Sequence, residues 1–522
     1  MTTSAQIHIA TLPKLTAEKG DPRLVRGSFF PPIALATSQR TPLYRQIYNW
    51  FQRAIVTGQL RPGQRIPSTR ALASELKISR VPVLGAFEQL HAEGYLETFT
   101  GAGTCVARSI PETAAIPLAA RPRTLPAHKH TRRISRDAAT LISMQTDFGL
   151  RNVGAFRVSL PALDHFPLSV WSSLLARHAR ATTRELMQYG DTMGHRPFRE
   201  AIAEYLGASR GVRCDASQIM IVTGSQLGLQ TAAKALLDVG DSVWMEEPGY
   251  PGAHQAFVTA GAKMVPVPID REGVNIKEGI RRARNARAVY ITPSHQYPMG
   301  VTMSASRRMQ LLNWAARAGS WIIEDDYDSE YRYGSRPVAS LQGMDADARV
   351  IYIGTFSKVL FPALRLGYLV IPKDLVPAFC VAREATDIFS STLFQAALTD
   401  FIREGHFARH LRRMRMLYME RRTALAKAIR TQLGDRLEVV NAEAGMHLVA
   451  LLPRGTNDRT VSRRAAEAGI SVVPLSTCYL GRPPRPGLIL GYASAGKAQI
   501  DDGIRKLARI IREVRQKSRR QK

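Results

Sequence analysis

Cysteine is scarce in this chain. Only four occur in 522 residues, Cys105, Cys214, Cys380 and Cys478, and no two form a CxxC pair. That argues against a disulfide framework and against a zinc site, and it fits a reducing compartment. Long apolar runs are missing as well; none approaches the roughly 20 residues that cross a bilayer. The N-terminus lacks the basic-then-apolar order of a secretion signal. The expectation is a soluble, cytoplasmic protein with no membrane partner. Acidic residues are the third shortage: 43 Asp and Glu stand against 72 Lys and Arg, for a formal net charge of +29 and a pI near 10.5. An imbalance of that size points to an anionic polymer as partner. The length calls for two or three domains.

What is present is chemistry at the ends of short apolar runs. Val350–Ile353 reads as a buried strand. It leads into Gly354-Thr355-Phe356-Ser357-Lys358, setting a lysine and two hydroxyls at the strand's carboxyl end, where open α/β sheets bind ligands. Arg365 follows, a fixed cation suited to a phosphate. A second run, Trp321–Ile323, leads into Glu324-Asp325-Asp326-Tyr327-Asp328. Alone, such an acidic run also suits magnesium or a solvated turn. Beside Lys358 it points to pyridoxal phosphate: the amine forms a Schiff base with the aldehyde, and a carboxylate keeps the pyridine nitrogen protonated. Tyr327 is then placed to hydrogen-bond the ring's phenolate oxygen.

The N-terminal part has a different pattern. Residues 1–40 show no periodicity and read as a loose leader. Leu43, Ile47, Phe51 and Ile55 recur at helical spacing up to Gly58. Ser68 is placed to cap a second helix carrying Leu72 and Leu76, and Ser79 a third carrying Val83, Phe87 and Leu90. Two β segments follow, Tyr95–Phe99 and Thr104–Ala107, around Thr100-Gly101-Ala102-Gly103. Three helices and a glycine-tipped hairpin make a winged helix-turn-helix over 41–108. Arg70 and Arg80 fall in the first turns of the second and third helices, where amides and cations meet DNA phosphates.

The stretch from Pro42 to Ala107 resembles the DNA-binding domain of the GntR-type bacterial regulators. The resemblance implies phosphate and base contacts by Ser68, Arg70 and Arg80, and by Gly101, Gly103 and Thr104 in the wing. Pro82 stands where that family usually has threonine, and proline donates no hydrogen bond. From 109 to 146, prolines and clustered Arg and Lys without an apolar period read as a flexible basic tether.

Between 147 and 515 strand and helix signals alternate. Strands are expected at Ile219–Val222, Ser242–Met245, Ala288–Ile291, Trp321–Ile323 and Val350–Ile353, with a helix at Leu227–Leu237. That order argues for a mainly parallel, helix-covered sheet. Thr223-Gly224-Ser225-Gln226 opens the helix with free amides for a phosphate, and Tyr250 is placed to stack on a ring. This region resembles the fold type I aminotransferases, an α/β fold with a small C-terminal subdomain. The resemblance implies that Lys358 is the Schiff-base lysine and that Asp325 and Tyr327 meet the ring nitrogen and phenolate. Ser225, Gln226, Ser357 and Arg365 match the phosphate cup, and Tyr189 matches a tyrosine that reaches the neighbouring subunit's phosphate.

Together the halves, with TPSHQYPMG, EDDYDSEYRY, GTFSKVLFPALRLGYL and GLILGYAS, resemble the MocR subgroup of GntR-type regulators. The resemblance implies a head-to-tail homodimer that binds pyridoxal phosphate, a double-stranded DNA operator and a small-molecule effector. Two positions depart from the aminotransferase pattern. Tyr297 replaces an asparagine that bonds the phenolate, and Ile489 replaces the arginine that grips a substrate carboxylate. The effector is therefore read as pyridoxal phosphate itself or an amine or amino acid without a conventional carboxylate grip, and the protein as controlling vitamin B6 or amine/amino-acid metabolism. The alternatives are an active aminotransferase with an accessory head, or a nonspecific DNA binder. Residues beyond Ile504 read as an amphipathic helix, with a basic tail at 516–522.

Overall fold

The computed structural model describes residues 33, 35, 41–99, 103–109, 133–144, 154–184, 187–334, 338–434, 437–440 and 443–520. They fall into two compact units, Met1–Arg132 and Arg133–Lys522.

The first unit is a winged helix-turn-helix. Helix α1 (Leu43–Val56) turns Ile47, Phe51 and Ile55 inward and ends before Gly58, whose φ of 73° suits a glycine. Helix α2 (Thr69–Glu75) is capped by Ser68, whose hydroxyl accepts from the Ala71 amide at 3.2 Å. Helix α3 (Arg80–Ala92) buries Val83, Phe87 and Leu90 against Phe51 and Leu72. Ser79 holds the N-cap position of α3, but its hydroxyl makes no capping bond. The reason lies in the sequence: a cap bonds the second or third amide of the helix, and the third residue here is Pro82. Strands β1 (Leu96–Phe99) and β2 (Gly103–Val106) pair antiparallel, Leu96 opposite Val106, one residue off the expected limits. The wing tip, with Gly101, lies outside the described residues, as do the leader but for Ile33 and Leu35, and 110–132 of the tether.

The second unit opens with helix α4 (Arg136–Ser143), capped by Ser135 and lying against a helix of the large domain. This helix lies within 109–146, the stretch expected to be a flexible tether. Eight strands form the main sheet: β3 (Ile219–Val222), β4 (Ser242–Glu247), β5 (Lys263–Asp270), β6 (Gly273–Val274), β7 (Ala288–Ile291), β8 (Trp321–Asp326), β9 (Val350–Thr355) and β10 (Gly367–Val370). Their order is β3-β10-β9-β8-β7-β4-β5-β6. Pairings from β5 through β9 are parallel; β10 runs antiparallel between β9 and β3.

Alternation along the strands divides the core between two faces. Ile219, Ile221, Tyr352 and Tyr368 pack with α5 (Leu168–Arg180) and α6 (Arg196–Arg210). Met220, Val222, Ile351 and Ile353 face the other way, toward α7 (Ser225–Leu236) and α8 (Pro251–Thr259), the helix that α4 touches. Trp244 of β4 stacks on Trp314 at 3.8 Å, fixing α9 (Ile276–Arg282) and α10 (Ala305–Ala318) to the sheet. Helices α11 (Val376–Glu384), α12 (Thr392–Arg403) and the 28-residue α13 (His406–Leu433) lead to a smaller sheet. Its strands are β11 (Glu438–Val440), β12 (His447–Leu451), β13 (Val473–Pro474) and β14 (Gly487–Gly491), antiparallel in the order β11-β12-β14-β13. Helices α14 (Asp458–Glu467) and α15 (Lys497–Arg520) flank it, and α15 buries Ile504, Leu507, Ile511 and Val514 as its pattern demands. No helix among the described residues is long and apolar enough to cross a membrane.

Candidate functional site

The parallel strands β4, β7, β8 and β9 point their carboxyl ends to one edge of the sheet, and β3, antiparallel to β10, points the same way. The chain leaves β4 toward β5 and leaves β7 toward β8, so the connections reverse direction between β4 and β7. A crevice at such a reversal is the usual ligand position of open α/β sheets.

Lys358 lies just past β9, half-buried. Burial pushes its amine down to about 8, with the charge of Asp325 opposing. Asp325, near the end of β8, is 4% exposed. Its Oδ2 accepts from the Tyr290 hydroxyl at 2.8 Å, whereas Oδ1 has no hydrogen-bond partner among the described residues. Burial pushes this carboxyl up to about 7, against the bond from Tyr290. Asp326 points to the opposite face, where its Oδ2 accepts from Arg210 Nε at 2.9 Å and from the Tyr352 hydroxyl at 2.6 Å, while its Oδ1 has no partner among the described residues.

Gly224 precedes α7 with φ 84°, and a Cβ built there would lie 3.1 Å from Arg365 Nη1. Arg365 reaches this spot because its own backbone is left-handed, φ 52°, and Nη2 donates to the Thr223 carbonyl at 2.8 Å. Guanidinium, glycine turn and helix N-terminus together make an anion cradle. Ser225 opens the helix and Ser357 is buried, its amide donating to Thr355 Oγ1 at 3.2 Å. Gln226 differs from expectation in one respect. Its side chain donates to the Gly252 carbonyl at 2.9 Å, tying α7 to α8, which leaves its backbone amide for an anion.

Tyr250, Tyr297 and Tyr327 gather on the other side of the edge, Tyr250 meeting Tyr297 edge-on at 5.5 Å. The Tyr327 hydroxyl lies 2.9 Å from His295 Nδ1, which is also 3.0 Å from Asp328 Oδ1. His295 and Asp328, 3% and 1% exposed, were missed by the sequence reading. The last residue of EDDYD and the histidine of PSHQYP were the available signal. Ile489 of β14 is fully buried in an apolar cluster with Val158, Tyr297, Val449 and Leu475. Arg485, a nearby cation in sequence, is held elsewhere by Glu438 and the Leu452 carbonyl. Tyr189 is not brought to this edge by its own chain; it is 83% exposed, 6.1 Å from Phe389.

The buried Asp325 oxygen without a partner, the amine held near neutrality and the glycine-floored cradle under Arg365 fit a phosphate-bearing pyridine aldehyde. Among the described residues no group of three His, Cys, Asp or Glu is arranged to hold a metal.

In the winged unit, Arg70 and Arg80 are exposed, and Arg80 Nε donates to Thr69 Oγ1 at 3.1 Å, linking α3 to α2. Ser68 spends its hydroxyl on the helix cap. Gly103 has φ 88°, and Thr104 Oγ1 lies 3.4 Å from Thr98 Oγ1 across the hairpin. Arg65, absent from the sequence reading, places its guanidinium 3.2 Å from where a Gly103 Cβ would be, adding a cation at the wing's base.

Residues 43–106 match the bacterial regulatory proteins of the gntR family, and residues 160–507 match aminotransferase class I and II. The fold and the two matches define a class: a DNA-binding regulator head carried by an aminotransferase-like domain. The chain is 41% identical over 475 residues to the probable rhizopine catabolism regulatory protein MocR of Rhizobium meliloti, covering 91% of this chain and 95% of that one. It is 29% identical to the pyridoxine biosynthesis transcriptional regulator PdxR of Corynebacterium glutamicum, over 89% of this chain and 94% of that one. Among solved structures, the α-aminoadipate aminotransferase LysN of Thermus thermophilus, complexed with N-(5'-phosphopyridoxyl)-L-leucine, superposes with a TM-score of 0.67 at 29% identity. It covers 73% of this chain and 98% of that one. The chain belongs to the MocR kind of gntR-family transcriptional regulators.

Proposed function

We propose that this chain is a transcriptional regulator that holds pyridoxal phosphate through Lys358 and converts occupancy of that site into a change in operator binding. The observation that carries the reading is Lys358 lying close enough to Asp325 to feel its charge. A buried carboxylate oxygen waits without a partner beside an amine whose proton is easily lost, in a chain that also has a winged DNA-binding head. When bound, the cofactor supplies an aldehyde carbon that amines attack and a ring that draws electrons.

The chain's residues do the rest. Asp325 Oδ1 accepts from the ring nitrogen and keeps its proton in place. Tyr250 covers the ring, and Tyr327, oriented by His295, bonds the phenolate oxygen. Arg365, Ser357 and the amides of Ser225 and Gln226 hold the phosphate. The exposed Tyr189, with Met187 at 78% exposure beside it, suits a head-to-tail homodimer in which it reaches the partner subunit's phosphate. In the head (41–108), Arg70, Arg80 and the wing, including Gly101 and Thr104, grip a double-stranded operator; the tether (109–146) joins it to the effector domain (147–515).

Ile489 bears on the effector. An α-carboxylate brought against that apolar cluster lacks the guanidinium an arginine at position 489 would supply, and such a charge-assisted pair contributes roughly 1.5–3 kcal/mol. Amino-acid binding is therefore weakened at least tenfold relative to a site with the arginine. The effector is pyridoxal phosphate itself or an amine without such a carboxylate, and the regulator controls vitamin B6 supply or amine metabolism. Titrating the cofactor-loaded protein with amino acids and with simple primary amines, and following the visible band, tests this. Amines are expected to perturb the band at lower concentration. A prompt change at micromolar amino acid defeats the reading, and turnover with a keto acid in a coupled assay favours an active aminotransferase.

A further inference from the structure

The recognition helix α3 is apolar where a DNA-reading helix is usually polar. Its core side carries Val83, Ala86, Phe87 and Leu90, all buried. On its outer side Val81 is 74% exposed, and Leu84, one turn along on the same side, is half-buried. Pro82 between them has no N–H, and Ser79 makes no capping bond. Gly85, next on the helix, adds no side chain. From Val81 to Gly85, then, no side chain can donate or accept a hydrogen bond. Flanking this stretch are Arg80, whose Nε is already tied to Thr69, the exposed Arg70 in the first turn of α2, and the exposed Glu88 a turn further along.

In a helix-turn-helix the second helix lies in the major groove with its N-terminal residues against base edges. Of the groups displayed there, only the thymine 5-methyl is apolar. We propose that Val81, backed by Leu84, reads thymine through its methyl group, and that Arg70 and Arg80 set the helix on the backbone without supplying that part of the sequence preference. This rests on the regulator reading above. It makes Val81 a specificity-determining residue, and it predicts an operator whose half-sites hold thymine at one or two fixed positions under α3. Withdrawing one methyl from water, at about 0.8 kcal/mol per buried CH₂, amounts to about fourfold in affinity.

The test uses the full-length, cofactor-loaded protein. A randomised duplex pool is selected for binding, and the enriched sequence is resynthesised with deoxyuridine replacing each thymidine in turn. The expected result is a loss of about fourfold at one or two thymines per half-site and none at the others. Replacing cytosine by 5-methylcytosine at a position where a cytosine variant binds poorly should restore part of the loss. Val81→Ala should bind the thymine and uracil duplexes alike, with circular dichroism showing that the head remains folded. An enriched sequence insensitive to uracil at every position overturns the proposal and leaves the regulator reading standing, as does a uracil effect that persists undiminished in Val81→Ala. A pool with no enriched sequence overturns both.

Discussion

Raising the pH through the range in which Lys358 loses its proton should speed its capture of pyridoxal phosphate, with a midpoint near 8 rather than near 10.5. The amine lies just past the carboxyl end of β9, and burial lowers its pKa from 10.5 to about 8. Only the neutral amine attacks a carbonyl carbon. At pH 7 a lysine of pKa 10.5 is about 0.03% neutral and one of pKa 8 about 9%, a gain of about 300-fold in reactive amine. Because the shift is downward, the rate climbs about tenfold per unit below pH 8 and levels off above it. The assay mixes cofactor-free protein with pyridoxal phosphate in stopped flow at each pH, and ratios the rate to that of N-acetyl-lysine so that ionisation of the aldehyde cancels. Borohydride reduction and peptide mass then locate the adduct. Asp325 opposes the downward shift, so Asp325→Asn should move the midpoint lower still. Since the reference amine itself titrates near 10.5, the ratio should stay flat below pH 8 and fall about tenfold per unit from there to about 10.5; a ratio flat up to about pH 10, or a break unmoved in Asp325→Asn, would refute the reasoning.

Two further perturbations probe the remaining parts. Gly224→Ala forces a side chain onto a backbone of φ 84° and ψ 165°, a conformation that costs other residues about 1–3 kcal/mol, and sets its Cβ 3.1 Å from Arg365. Pyridoxal phosphate should bind at least tenfold more weakly by fluorescence titration, while unphosphorylated pyridoxal should change little. Arg80→Ala should weaken binding to all duplexes alike and reduce the slope of log affinity against log salt by about 0.9, one phosphate contact; a loss confined to one sequence would make Arg80 a base reader instead.

Much of this was legible because burial on both faces leaves an unbroken apolar signature. Ile219–Val222 and Ala288–Ile291 match their expected limits, since every residue in them is buried. Strand β8 runs three residues beyond its apolar run, through Glu324, Asp325 and Asp326. The sequence shows three charges and hides what offsets them: the Leu341 and Gln342 amides on Glu324, and Arg210, 116 residues earlier, on Asp326. The pleat then sends the two adjacent aspartates to opposite faces, one held by Arg210 and Tyr352 and the other by Tyr290 alone. Helix α4 escaped notice because it is only eight residues long, too short for a periodic signal, and none of them is buried. The His295–Asp328 pair was missed for another reason: its halves lie in two loops 33 residues apart, and the motifs that carry them do not show that they meet.

Lys358 and Arg365 share one short excursion between β9 and β10, closed at its base where Thr355 sits opposite Gly367. Mechanically this is a shackle. A molecule bonded to the lysine and gripped through its phosphate by the arginine would complete a ring with the peptide, and that ring would hang from two interior strands, one in from the sheet's β3 edge. Tension on the cargo is divided between two adjacent strands, so neither fastening bears it alone, and letting go requires both to release in the same opening.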